Sequence, residues 1–141
     1  MKIREIQETD APQITNLLSQ LGYLNTGSFI EEKIKSFSKD PDEHTVVAEE
    51  NNEVIAFISI HFIPQIALKG DFARISYFSV DEKCRSIGVG KLLEEYCEEV
   101  ARLRNCDRIE AHCHSRREKA HRFYFRQGYT ESPKYLMKSL I

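Results

Sequence analysis

The spacing of apolar residues along this chain predicts a succession of strands and helices. Residues 2–6 alternate between apolar and polar, as in a short strand, and apolar or β-branched runs predict further strands at 45–48, 54–62, 72–80 and 108–113. The first two of these runs are close enough together to predict a hairpin. Intervals of three and four predict a long helix over 89–104, with an apolar face formed by Val89, Leu92, Leu93, Tyr96, Cys97, Val100 and Leu103.

Capping residues and glycines predict where three shorter helices begin and end. Asp10, Ser28 and Ser115 are each followed three residues later by Gln or Glu, which is the pattern of a capping box. Gly22 and Gly128 follow the first and the last of these helices, as C′ glycines do. Residues 129–140 can supply a final strand or two. The predicted order is β-α-α-β-β-β-α-β-α-β, a mixed α/β fold in a single domain over residues 1–141.

Composition and charge are those of an ordinary globular protein. Apolar residues make up 41% of the chain and charged residues 30%, and the net charge is −2 with no basic block that would bind nucleic acid. No apolar run approaches the ~20 residues that span a bilayer, and the first residues lack the pattern of a secretory signal. We therefore expect a cytoplasmic protein with neither nucleic acid nor membrane as a partner.

The cysteines and two nearby histidines raise the question of a metal site. None of the four cysteines forms a C-x-x-C pair, so we expect reduced thiols. In a strand, His112 and His114 would point to the same face and could both bind zinc. A tetrahedral site needs three or four ligands, and no matching pair occurs elsewhere at convincing spacing. We expect no metal.

The start of the helix over 89–104 differs from the starts of the other three. It carries no acidic cap, and the segment Arg85 to Lys91 instead holds two glycines, a hydroxyl and two cations. Unpaired backbone N–H groups at a helix N-terminus bind anions, and glycine lets a ligand approach them closely. The alternative is that Gly88 and Gly90 only permit tight packing between the helix and a strand. The missing acidic cap and the flanking cations favour an anion.

Two motifs resemble those of the GCN5-related N-acetyltransferase (GNAT) superfamily. Arg85-x-x-Gly88-x-Gly90 is similar to its R/Q-x-x-G-x-G/A loop, and residues 120–129 (Ala-His-Arg-Phe-Tyr, then Gly-Tyr) resemble its second helix signature. The motifs occur in the family's order with one strand between them. The resemblance implies a central, largely antiparallel mixed sheet of six to seven strands, flanked by about four helices. It also allows a homodimer.

The resemblance further implies that acetyl-CoA binds as co-substrate. Backbone N–H groups across the loop would hold its pyrophosphate, with a lysine adding charge; these residues are Arg85, Ser86, Ile87, Gly88, Val89, Gly90 and Lys91. The strand ending at Phe78, Ser79 and Val80 would splay from the strand at 108–113 and pair with the pantetheine arm. A backbone N–H there would polarise the thioester carbonyl.

Tyr124 matches the family tyrosine that protonates the departing thiolate, although its aromatic neighbours also suit a core position. The general base stays open: the candidates are Glu110, His112, His61 and a chain of water molecules. Arg117 stands where many members have an asparagine that contacts pantetheine, so that contact is in doubt. Arg116 and Arg117 are also candidates for holding the 3′-phosphate of the cofactor.

The implied activity is direct acetyl transfer to a primary amine of a small molecule or peptide. We expect the acceptor pocket between residues 21–29, residues 63–71 and the C-terminal strands, with Tyr23, Phe29, Phe62 and Tyr135 as lining candidates. Its aromatic and scattered acidic groups suit a small cation. A non-catalytic acyl-CoA-binding or regulatory module is the main alternative. A nucleotide-phosphate enzyme of another fold is the third hypothesis.

Overall fold

A computed structural model of the chain describes residues 1–85, 87–113, 116–131 and 135–141. Within these ranges, five strands form one sheet in the spatial order β1-β2-β3-β4-β5. They are β1 (Lys2–Glu5), β2 (Glu43–Glu50), β3 (Glu53–Ile63), β4 (Phe72–Val80) and β5 (Arg108–Ala111). The pairs β1–β2, β2–β3 and β3–β4 are antiparallel, whereas β5 runs parallel to β4.

Four helices accompany this sheet in the described part of the chain: α1 (Ala11–Gln20), α2 (Ile30–Phe37), α3 (Val89–Leu103) and α4 (Glu118–Arg126). The predicted mixed α/β fold is therefore confirmed. The predicted six to seven strands exceed the five that are described, because residues 129–131 and 135–141 include no strand. A strand needs a neighbour that accepts its hydrogen bonds, and the side chains of residues 135–141 are exposed to solvent.

The predicted hairpin and helix ends are confirmed, whereas two predicted caps are wrong. Asn51 and Asn52 join β2 to β3 with φ of 52° and 64°, the left-handed pair that a tight hairpin favours. Gly22 and Gly128 follow α1 and α4 with φ of 98° and 94°. Asp10 precedes α1, but its side chain makes no cap hydrogen bond there.

The carboxylate of Asp10 has stronger partners than the end of α1. It accepts a hydrogen bond from the Gln7 backbone N–H at 2.8 Å and forms an ion pair with Arg4 at 2.9 Å. At α2 the N-cap is Phe29, not Ser28. The third predicted capping residue, Ser115, lies outside the described residues.

Each face of the sheet carries its own apolar cluster. Helices α1 and α2 cover one face, on which Val47 and Phe57 are buried, and α3 covers the other, on which Ile58 and Ile75 are buried. The buried apolar residues of α3 follow a spacing of four: Val89, Leu93, Cys97 and Ala101. Leu92 and Leu103, predicted on this face, are 44% and 76% exposed because they lie off that stripe.

No helix in the described ranges combines the length and the apolar character that crossing a membrane requires.

Candidate active site

Strands β4 and β5 pair over only part of their length. Residues Phe72 to Ile75 pair with Arg108 to Ala111, whereas β4 continues to Val80 with β3 as its partner. Beyond Ile75, the edge of β4 that faces away from β3 is therefore open in the described part of the chain. This is the separation of the two strands that the sequence led us to expect.

The backbone of β4 presents hydrogen-bonding groups to this gap. The N–H of Asp81 donates to a carbonyl of β3 at 2.8 Å, which fixes the direction in which this residue faces. Successive residues of a strand face opposite neighbours. Ser79 therefore also faces β3, and Phe78 and Val80 face the gap. The Val80 carbonyl accepts a hydrogen bond from Nε of Arg85 at 3.3 Å, in agreement with this direction.

The side chain of Ser79 has a structural role. It is buried, and its hydroxyl donates to the Leu17 carbonyl of α1 at 3.2 Å. Ser79 thus ties β4 to α1. Of the three residues of β4 predicted to contact a cofactor, Phe78 and Val80 direct backbone groups into the gap and Ser79 does not.

The turn before α3 has the backbone geometry of an open helix N-terminus. Gly88 occupies the N-cap position with a left-handed φ of 88°, and neither a side-chain cap nor an acidic residue is present in the first turn. The first backbone hydrogen bond runs from Leu92 N–H to the Gly88 carbonyl at 3.1 Å. The N–H groups of Val89, Gly90 and Lys91 precede it. Among the other residues predicted here, Arg85 and Ile87 are exposed, and Ser86 lies outside the described residues.

Gly90 and Lys91 contribute to this turn in different ways. A Cβ at Gly90 would lie 3.3 Å from Cε1 of Phe123, so the glycine allows α4 to pack closely against α3. Close packing therefore accounts for Gly90, whereas a Cβ at Gly88 would meet no atom within 4 Å and packing does not account for that glycine. The ammonium of Lys91 is exposed and lies 3.7 Å from the Glu95 carboxylate, one turn further along the helix.

A cleft of about 190 Å³ lies where β4 and β5 separate. Its lining comes from the end of α1, from β4, and from the segment between β5 and α4. The described lining residues are Leu21, Gly22, Tyr23, Ile75, Ser76, Tyr77, Phe78, His112, Cys113, Arg116, Arg117 and Tyr124.

Tyr124 brings a phenol from α4 into this cleft. Its ring packs against Phe78, Phe123 and Tyr129, with centroid separations of 6.5, 5.4 and 5.2 Å. Burial raises the pKa of Tyr124 well above that of a free phenol, and the nearby Arg117 opposes this only in part. The hydroxyl is therefore protonated at neutral pH and can act as a proton donor.

Sequence and structural comparisons agree on the family. Residues 3–129 match the sequence model of the acetyltransferase (GNAT) family. This chain belongs to that family. An aminoalkylphosphonate N-acetyltransferase from Salmonella typhimurium is 32% identical to it over 93 residues, which is 66% of this chain and 60% of that protein. The match therefore spans less than two thirds of that relative's length.

Solved structures show the same fold at lower identity. A transcriptional regulator from Bacillus halodurans superposes with a TM-score of 0.89 at 23% identity, over 99% of both chains. An aminoglycoside N-acetyltransferase solved in complex with CoA superposes with a TM-score of 0.85 at 13% identity, over 98% of this chain and 93% of that one. The described sheet and helices are thus those of a GNAT fold.

The structure separates the side chains that were predicted to line an acceptor pocket in this GNAT chain. Tyr23 lines the cleft and packs edge to face on Tyr77, with ring centroids 5.3 Å apart. Tyr135 packs against His112 at the cleft, with centroids 4.7 Å apart. Phe62 instead belongs to the core, where its apolar ring is 4% exposed. Neither Phe29 nor any residue of 63–71 is among the described residues that line this cleft.

The three side chains considered as general base differ in their surroundings. The carboxylate of Glu110 is held by Arg74 and Arg108, each at 2.9 Å, so two cations already engage it. His112 lines the cleft. His61 does not line it, but its Nε2 lies 2.5 Å from Oγ of Ser76, which does.

Sequence patterns did not predict which residues contact His61. Its Nδ1 lies 2.5 Å from the carboxylate of Glu43 on β2, and nothing in the sequence connects Glu43 or Ser76 with His61. The register of three strands brings them together. In the described ranges, no group of three or more His, Cys, Asp or Glu side chains is arranged to hold a metal ion. His114, one of the two histidines considered as zinc ligands, lies outside these ranges.

Proposed function

We propose that this chain transfers an acetyl group from acetyl-CoA directly to a primary amine of a small molecule or peptide. The observation that carries the proposal is the edge of β4 left unpaired by β5 beyond Ile75, next to a cleft that Tyr124 also lines. A donor thioester and a proton donor for its leaving group can therefore meet at one place. Membership of the GNAT family supports the same chemistry.

The cofactor is proposed to bind along the gap and over the start of α3. The backbone of Phe78 and Val80 would pair with the amides of the pantetheine arm, since these two residues face the gap. The backbone N–H groups of Ile87, Gly88, Val89 and Gly90 would hold the pyrophosphate, with Arg85 and Lys91 adding positive charge. Ser86 is proposed for the same loop, although it lies outside the described residues.

In the proposed transfer, the amine attacks the thioester carbonyl carbon while a backbone N–H of β4 stabilises the developing oxyanion. The sulfur then leaves and takes the proton of Tyr124. Burial raises the pKa of Tyr124, so its hydroxyl still carries a proton when the thiolate departs.

The charge of the cleft indicates which amines to test first. Its described lining contains Arg116, Arg117 and His112 but no aspartate or glutamate, contrary to the expected acidic lining. The arginine side chains favour an acceptor that carries an anionic group beside its amine. The Salmonella typhimurium relative is named for aminoalkylphosphonates, which have this combination of charges. We therefore rank aminoalkylphosphonates above polyamines and aminoglycosides as acceptors.

The test is the release of free thiol from acetyl-CoA with a panel of these amines, alongside calorimetric titration with CoA, ATP and NAD. Acetylated amine detected by mass spectrometry is the expected result. Saturable CoA binding without turnover on any amine would instead support a non-catalytic acyl-CoA-binding module. Preferential binding of ATP or NAD would support a nucleotide-phosphate enzyme.

A further inference from the structure

Three polar side chains form a hydrogen-bonded series across the sheet, ending at the cleft. His61 on β3 lies between Glu43 on β2 and Ser76 on β4, with contacts of 2.5 Å to each. We propose that Glu43, His61 and Ser76 form a proton relay that accepts the proton of the attacking amine. This inference rests on the proposed acetyl transfer and supplies its missing general base.

A β-bulge places Ser76 at the cleft. Ser59 pairs with Tyr77 and the next residue of β3 pairs with Ile75, so Ser76 is the extra residue on β4. Bulges redirect side chains and often occur beside active sites. The pairing of β4 with β5 also ends at Ile75. Ser76 is therefore the first residue of β4 past the point where the strands separate, and it lines the cleft in which the transfer is proposed to occur.

The contacts of the imidazole fix the direction of proton movement. The Glu43 carboxylate can only accept from Nδ1, so the proton of a neutral His61 lies on Nδ1. The lone pair of Nε2 then accepts from the hydroxyl of Ser76 at 2.5 Å, which is closer than the other acceptor of that hydroxyl, the Ser59 carbonyl at 3.4 Å. Oε1 and Oε2 of Glu43 each lie 2.5 Å from Nδ1 of His61, so the negative charge of this carboxylate acts mainly on the imidazole.

The other groups around His61 do not change the preference for a proton on Nδ1. From α2, the ring of Phe37 packs edge to face on the imidazole with centroids 6.0 Å apart. From β4, Arg74 is the register partner of His61, and its guanidinium forms an ion pair with Glu110 of β5 at 2.9 Å. Glu110 divides its charge between Arg74 and Arg108, whereas the carboxylate of Glu43 contacts the imidazole directly.

The proton and electron balance of the step is complete with these groups. The lone pair of the amine nitrogen forms the C–N bond, and the nitrogen gives one proton to Oγ of Ser76. Ser76 passes its own hydroxyl proton to Nε2 of His61. The electron pair of the C–S bond leaves with sulfur, which takes the proton of Tyr124. Tyr124 then regains a proton from solvent, and His61 returns one to solvent.

The proton taken up by His61 can leave to solvent on the side of the relay that faces away from the cleft. The side chain of His61 is 24% exposed, so the imidazolium is not sealed in the sheet. Glu43 and Phe37 line a second cavity of about 60 Å³, which shares no lining residue with the cleft. The relay therefore begins at the acceptor cleft and ends at separate solvent-accessible space.

The first test reads the tautomer of His61 without requiring any activity. With ¹⁵N-labelled histidine, NMR of the free protein should show His61 protonated at Nδ1 and unprotonated at Nε2 in its neutral form. Glu43→Gln should weaken this preference. A neutral ring protonated at Nε2 would overturn the relay, because Nε2 could not then take a proton from Ser76. This result stands whether or not an amine acceptor is found.

The second test is kinetic. Ser76→Ala should lower kcat for the amine by about 100-fold or more while the KM for acetyl-CoA stays within about twofold. His61→Gln should also lower kcat. Ser59→Ala is the matched control: it removes a neighbouring hydroxyl that bonds to Thr45 at 3.2 Å, lies outside the cleft lining and should leave kcat unchanged.

Two kinetic outcomes would refute the relay while leaving the acetyl transfer intact. One is a Ser76→Ala enzyme with wild-type kcat and pH profile. The other is an acetyl group trapped on Ser76 by rapid quench and mass spectrometry, because a serine that is acetylated acts as a nucleophile and not as a proton carrier. If wild-type protein acetylates no amine, the proposed function fails, and the NMR result still decides the relay geometry.

Discussion

Two neighbouring tyrosines allow the proposed acid to be tested against a matched control. Tyr124→Phe removes a hydroxyl from the cleft but keeps a ring that packs against Phe78, Phe123 and Tyr129. A positioned proton donor typically contributes about 100- to 10,000-fold in rate, which corresponds to ~3–5.5 kcal/mol of transition-state stabilisation. We expect kcat to fall by about that factor, with little change in CoA affinity or thermal stability.

Tyr129→Phe removes the corresponding hydroxyl from a ring whose centroid is 5.2 Å away. That hydroxyl donates to Oε1 of Glu94 at 3.1 Å, and Glu94 is only 2% exposed. Leaving a buried acceptor unpaired costs about 1–3 kcal/mol. With an unfolding entropy of ~2.1 cal/mol/K per residue, the 141-residue chain should lose roughly 3–10 °C in Tm. Its kcat should change little.

The assays are thiol release for kcat, calorimetry for CoA affinity and circular dichroism melting for Tm. The two variants should separate, with Tyr124→Phe affecting turnover and Tyr129→Phe affecting stability. If Tyr124→Phe keeps wild-type kcat while its Tm falls, Tyr124 is a core residue and the proposed acid role is refuted. If both variants lose turnover equally, the effect belongs to the packing of α4 and not to one hydroxyl.

Three further predictions concern the start of α3 and its buried carboxylate. Gly88→Ala should lower stability by about 1–2 kcal/mol in a melting experiment, because φ is 88° although the added Cβ meets no atom within 4 Å. Arg85→Gln should weaken CoA binding about tenfold by calorimetry, whereas Arg102→Gln, at the far end of α3, should not. Burial raises the pKa of Glu94 in the folded protein above its pKa in the unfolded chain. The stabilisation that comes from the protonated carboxyl group is therefore complete below the unfolded pKa and is lost as pH rises through the folded pKa. Glu94→Gln should therefore stabilise the protein at neutral pH and make the free energy of unfolding depend less on pH. Urea unfolding at several pH values measures both effects. If the free energy of unfolding of the variant changes with pH as in the wild type, Glu94 is not the source of this pH dependence.

Local patterns were sufficient to predict most of the elements in this fold. The apolar runs of β2 and β3 and the asparagines between them define a hairpin whose pairing needs no distant information. Gly22 and Gly128 end their helices because left-handed φ favours glycine whatever lies around it. The cap predicted at Asp10 is wrong because Arg4, six residues earlier, competes for the same carboxylate. A pattern confined to four residues does not include that competitor.

The candidate site was predictable only where a contiguous motif carries it. The loop before α3 and the tyrosine of α4 each lie within one short segment, so their residues could be named from the sequence. Glu43, His61 and Ser76 lie on three strands, and their contact depends on the register of two strand pairs and on one bulge. Neither apolar periodicity nor residue type specifies that bulge. The sequence therefore allowed His61 to be proposed as a base but did not show which residues contact it.

The two glycines of the loop perform separate tasks that together connect the proposed donor site with the proposed acid. Gly88 takes the left-handed conformation that opens the N-terminus of α3. Gly90 has no side chain where Phe123 of α4 lies 3.3 Å away, and Phe123 in turn packs on Phe78 of β4 with centroids 5.7 Å apart. Because Tyr124 follows Phe123 on the same helix, this close approach sets the distance between the phenol and the open edge of β4. The motif that would bind the pyrophosphate therefore also positions the residue that would protonate the thiolate, which gives both glycines a physical reason to occur at a spacing of two.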